Sequence, residues 1–187
     1  FRLQLRAPQR LIQPMNKRHQ KLVTDVLSIA TAPYHEHEVI AYIKKFATRR
    51  GLPIREDRYG NVIVRYKQGR TRPIAISAHT DHPGFSVLSA DGCDVRARWC
   101  GGRDPNHFPG GKVVIRAAKK LIKGKAVSPL DASSSFDIRV ARPADNWAHA
   151  YGHFDLVPCE FRSDLIYTKA ADNLINCAVL LAVLDQL

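Results

Sequence analysis

The sequence predicts an α/β layer sandwich carrying an inserted small β-barrel. Two stretches of helical spacing open the chain and lead into β-rich runs, the order expected when helices pack on a sheet. From Gly84 onward no long helical pattern appears; short strand-like runs recur at regular spacing with turn residues between them. Near Asp172 a helical apolar segment returns. On this reading residues 1–14 are an N-terminal extension outside the fold and 15–83 the first part of the α/β domain. Residues 84–164 are the inserted barrel, and 165–187 the second part of the α/β domain.

Asn16 is placed to cap a helix over Lys17–Ala30, where Leu22, Val26 and Ala30 form a stripe with Val23 and Leu27 beside it. Thr31-Ala32-Pro33 breaks it. A second helix runs over Glu36–Arg50 with Val39, Ile43 and Phe46 on one face, and Gly51 stands where a left-handed residue ends a helix. Asn61–Lys67 and Arg72–His79 are β-rich, and the second is apolar enough to be a buried central strand. Asp91-Gly92 marks a hairpin between FSVLSA and CDVRARW. Lys112–Arg116, Lys120–Val127 and Phe136–Val140 follow as strands, and Ala144–Ala150 reads as one or two helical turns. Asn173–Leu187 is apolar almost all round, the pattern of a helix buried on several sides. Little sequence is left to cover it, so the chain is expected to be the N-terminal half of a longer protein.

Composition bounds the function. With 187 residues, 45% of them hydrophobic, the chain can build one core, or one core and a small insertion. No apolar run approaches the ~20 residues needed to span a bilayer, and no membrane partner is expected. The first 14 residues are Arg-rich, free of acids and without an apolar h-region, which argues against a secretory leader. They read as a transit peptide or, more simply, as residues preceding a start at Met15. Cys93, Cys100, Cys159 and Cys177 fit no zinc, haem or redox spacing and are expected as free thiols in a reducing, cytoplasmic compartment. The net charge of +12 comes with no nucleic-acid-binding module, so no specific nucleic-acid partner is expected.

The sharpest local feature is Ala78-His79-Thr80-Asp81-His82-Pro83-Gly84-Phe85, following the strand expected to be most buried. Loops at the carboxyl ends of such strands build ligand sites. A His there can offer one ring nitrogen to a metal, while an Asp two residues on takes the N–H of the other. Lys169-Ala170-Ala171-Asp172-Asn173-Leu174 is the second feature; Asp172 reads either as a helix N-cap or as a carboxylate holding two cations. His35-Glu36-His37-Glu38 looks metal-binding, but i and i+2 do not face each other on a helix, so it reads as a solvated helix start. His107, His149 and His153 are expected at surface or interface positions, and Trp99 and Trp147 as core or interface anchors.

In order along the chain, TAPYHEHEVIAYIKKFATRRGLPIREDRYGNVIV, AISAHTDHPGFSV, FDIRVARPADNWAHAYGHFDLV and KAADNLINCAVLLAVL resemble landmarks of the peptidase family M42 aminopeptidases. Asp81 and Asp172 lie 91 positions apart, wider than in the related M20 and M28 peptidases, and a β-rich segment fills the gap. The resemblance implies an α/β/α metallopeptidase layer sandwich with an inserted barrel that forms homo-oligomers. It implies His79 as ligand to one metal, Asp172 as the bridge between two, Asp81 as the residue orienting His79, and a cis peptide after Asp172. The cofactors it implies are two divalent cations, zinc first and cobalt or manganese as alternatives, and the substrates are peptides cut at the N-terminus. The family's Glu-Glu pair, further acid and further His match nothing in this sequence and are expected after Leu187, leaving the chain inactive by itself. Leu174, Asn176 and His82 depart from the Arg, Gly and acidic residue common there in the family. Rival readings are an M20- or M28-like deacylase or carboxypeptidase, and a non-catalytic assembly module of the same fold.

Overall fold

The computed structural model describes residues 15–70, 72–102, 107–163 and 165–187. Helix α1 spans Lys17–Ser28, its first turn closed by Asn16, whose side chain accepts from the backbone of His19 at 2.8 Å. Helix α2 spans His37–Arg49 and ends against Gly51 at φ +65°. Strands β1 (Ile54–Glu56) and β2 (Val62–Val64) form an antiparallel hairpin.

Six strands then close into a barrel: β3 (Gly84–Asp91), β4 (Asp94–Cys100), β5 (Lys112–Ala117), β6 (Lys120–Ala126), β7 (Ser135–Val140) and β8 (Tyr151–Phe154), in spatial order β3-β4-β7-β6-β5-β8. The β3–β4 turn is the Asp91-Gly92 turn expected, with Gly92 at φ +55°. Inward alternation fills the barrel with Phe85, Phe108, Phe136, Ile115 and Ile138, and Trp99 meets Phe108 edge-to-face at 5.1 Å. Trp147 packs against the same core from its edge.

After the barrel, β9 (Glu160–Arg162) and β10 (Leu165–Tyr167) pair as a short ribbon whose Phe161 and Ile166 pack on a second core. That core is built by Leu22, Val23, Val26 and Leu27 of α1, Val39 and Phe46 of α2, and the C-terminal helix. A π turn, Ala171–Ile175, leads into α3, Asn176–Gln186.

Four local expectations change. Arg72–His79 forms no strand and pairs with none among the described residues, with Ile74 89% exposed. Ala144–Ala150 is a turn-rich link without helix, and it delivers β8, the strand that closes the barrel. Helix α3 buries Cys177, Ala178 and Leu181 against α1 and the π turn but leaves Val179 and Val183 exposed, so it is covered on one side rather than several. His35 is not solvated: it stacks on Tyr151 at 4.6 Å and hydrogen-bonds Ser86 at 2.9 Å, while His37 is exposed. The four cysteines are free thiols, and burial pushes Cys177 up to about 11. Among the described residues no helix is long and apolar enough to cross a membrane.

Candidate functional site

The 93 positions between His79 and Asp172 are spanned by the barrel, and the fold brings the two side chains together. His79 lies in the irregular segment just before β3, and Asp172 lies in the π turn that opens α3. The His79 arm is tied down twice: Cys177 Sγ, on α3, donates to His79 O at 3.2 Å, and Thr31 Oγ1 donates to Thr80 O at 3.1 Å. The Asp172–Asn173 peptide is cis, as the resemblance implies.

His79 Nδ1 lies 2.8 Å from Asp81 Oδ1, and its Nε2 lies 3.2 Å from Asp172 Oδ1. The Asp172 side chain is 91% exposed and that of His79 49% exposed, so the pair faces outward. A neutral imidazole carries one N–H. If Nδ1 donates to Asp81, Nε2 turns a lone pair toward a carboxylate oxygen. A cation bound to both would suit two acceptors at that distance. Donors about 2.0–2.1 Å from a tetrahedral zinc ion stand roughly 3.3 Å from each other, so the observed spacing fits two ligands of one such ion. Beside the carboxylate, Asn173 Oδ1 is buried with no hydrogen-bond partner. Among the described residues no group of three or more His, Cys, Asp or Glu side chains is arranged to hold a metal ion. The donor types therefore suit zinc, and the donor number is that of a partial site.

A second, basic cluster, which motif reading singled out only in part, joins two buried histidines to a half-buried lysine. His82 and His153 are both buried, their rings 6.1 Å apart, and Lys169 Nζ lies 3.0 Å from His153 Nε2. Burial, followed by the charge of Lys169, holds His82 and His153 down at about 4, against weaker opposition from Asp81 and Asp155 respectively. Burial also lowers Lys169 to about 8, with Asp155 opposing. His153, expected at a surface or interface position, is instead buried within the chain against Lys169, and His82 is buried as well. His107 and His149 are exposed. Lys169 escaped sequence reading because its partners lie elsewhere in the chain; its one signal was its place just before Asp172.

No family model matches the chain, and no curated protein does. Solved structures share its fold. An aminopeptidase from the archaeon Desulfurococcus kamchatkensis superposes with a TM-score of 0.73 at 19% identity, covering 91% of this chain and 52% of that one. The TET1 peptidase of Pyrococcus horikoshii, described as assembling into a tetrahedron or a large octahedral shell, superposes at 0.70 with 17% identity, covering 90% and 56%. A Thermotoga maritima protein described as an endoglucanase superposes at 0.69 with 20% identity, covering 88% and 54%. The chain spans about half the length of each of these structures. At these identities the likeness establishes the fold, a mixed helix–strand architecture with an inserted closed barrel, while activity has to be argued from the site.

Proposed function

We propose that the chain is part of a metal-dependent aminopeptidase resembling peptidase family M42, which removes N-terminal residues from peptides. The observation that carries this reading is the meeting of His79 Nε2 and Asp172 Oδ1 at 3.2 Å, with Asp81 behind the imidazole at 2.8 Å. The shared fold supports it. Two divalent cations, zinc first and cobalt or manganese as alternatives, would supply Lewis acidity and a water of lowered pKa. His79 and Asp172 are the residues that would hold them. Asp81 accepts a hydrogen bond from Nδ1–H of His79, which fixes the ring tautomer and keeps Nε2 free to ligate. Asp172, outward-facing on its turn, has both oxygens accessible. Assembly into a homo-oligomer through the barrel, and a cytoplasmic setting, belong to the same reading.

The test uses the protein expressed from its complete gene and aminoacyl chromogenic substrates with zinc, cobalt or manganese added. His79→Ala and Asp172→Ala should abolish hydrolysis. Full activity in Asp172→Ala would sink the reading. The 187-residue chain alone should be inactive, since two protein donors leave each cation mostly to water.

A further inference from the structure

Lys169 carries a half-buried amine for which the chemistry above has no task. Its Nζ donates to Ile29 O, just past the end of α1, at 3.2 Å, and meets His153 Nε2, on β8 of the barrel, at 3.0 Å. His153 Nδ1 lies 2.7 Å from Phe154 O, so the ring donates there and leaves the Nε2 lone pair to the lysine. The main chain is held as well: Lys169 N donates to Val157 O at 2.8 Å, and Thr168 Oγ1 donates to Pro158 O at 2.7 Å. Two alanines then separate this anchor from Asp172. Ala171 is exposed, and the Asp172 carboxylate beyond it has almost no packing of its own. Its direction has to come from the residues anchored before the turn and from the helix after it.

We propose that Lys169 is a positioning residue for the Asp172 carboxylate, its ammonium tying the segment that delivers Asp172 to α1 and to the barrel at once. The inference rests on the reading of Asp172 as a metal ligand. A charged donor shared by two acceptors on separate elements sets where the segment lies as well as how firmly it is held. Loss of a partner that orients a ligand costs about 10–100-fold in metal affinity or activity. His82 is buried with its ring 6.1 Å from that of His153.

The experiment compares Lys169→Met, Lys169→Arg and Asp172→Ala in the protein expressed from its complete gene. Zinc binding is read by calorimetry, kcat and KM are read separately on an aminoacyl substrate, and thermal melts of the metal-free proteins establish folding. Lys169→Met should fold, lose about 10–100-fold in zinc affinity and in kcat, and keep its KM. Lys169→Arg, able to donate to both acceptors, should recover most of that loss. Wild-type zinc affinity and kcat in Lys169→Met, alongside their loss in Asp172→Ala, would overturn the inference and leave the site reading standing. Zinc retained by Asp172→Ala would overturn the site reading itself. If Lys169→Met does not fold, His153→Phe is read in its place: weakened zinc binding supports the inference, and unchanged binding overturns it.

Discussion

Asp185 gathers two arginines and a histidine onto one buried carboxylate. Its side chain is 1% exposed, with Arg18 Nη2 at 2.6 Å, Arg50 Nε at 2.9 Å, Arg50 Nη2 on the same oxygen, and His19 Nε2 at 3.5 Å. Burial pushes the carboxyl up, but the hydrogen bonds and charges of Arg50 and Arg18 together outweigh it and hold it below the usual carboxylate value. A depressed pKa gives stability that is present above the unfolded-state value and lost as pH falls through the folded-state one. Asp185→Asn should destabilise the chain by roughly 2–3 kcal/mol at pH 7, less than a fully buried pair because Arg18 keeps its access to water. Urea unfolding checks this, and the gap between variant and wild type should close in acid. Residues of this kind are poorly legible in sequence. His79, Asp81 and Asp172 stand out because short motifs carry them. Asp185, Lys169 and His153 acquire their roles from partners that only the fold brings near.

Elements show the same division. Helices α1 and α2 and the β3–β4 hairpin follow from caps, stripes and a turn dipeptide, all local signals. Strand β8 does not, because Tyr-Gly-His-Phe has no alternation and pairs with strands that precede it by more than thirty positions. The reverse error at Arg72–His79 has the same cause: an apolar run is a strand only if something pairs with it. Gly152 shows why β8 has its composition. A Cβ there would lie 2.5 Å from Phe85 Cζ and would press on the Val114 carbonyl, while a Cβ on Gly84 would lie 2.5 Å from Gly152 O. The ring of Phe85 occupies the room a side chain would need. Gly152→Ala should therefore cost about 1–3 kcal/mol through overpacking. The expected reading is a lower urea midpoint for loss of barrel fluorescence, and an unchanged midpoint would refute it.

At the scale of the whole molecule, two cores meet across a junction rich in histidine. His35 stacks on Tyr151, Tyr151 OH donates to Ala30 O at 3.2 Å, Arg116 pairs with Glu38 at 2.7 Å, and Lys169 reaches His153. His35 is lowered by burial and then by His37 and His149, against Glu36; His153 is lowered by burial and Lys169, against Phe154 O and Asp155. His82, facing Lys169, His153 and Asp81, is lowered as well. Histidines whose folded pKa is depressed stabilise the fold above their unfolded value near 6.5, and for His82 and His153 this stability drains away as pH falls from there toward about 4. Between pH 7 and 5 the chain should lose on the order of 3 kcal/mol. Hydrogen exchange should show protection falling first along the junction; equal stability and equal exchange patterns at the two pH values would contradict this.

Both tryptophans, Trp99 and Trp147, belong to the barrel, and the three α-helices among the described residues belong to the other core. Indole emission and the helical ellipticity near 222 nm are therefore separate optical channels, one for each core. A melt followed in both reveals at once whether the molecule unfolds as a single cooperative unit or as two.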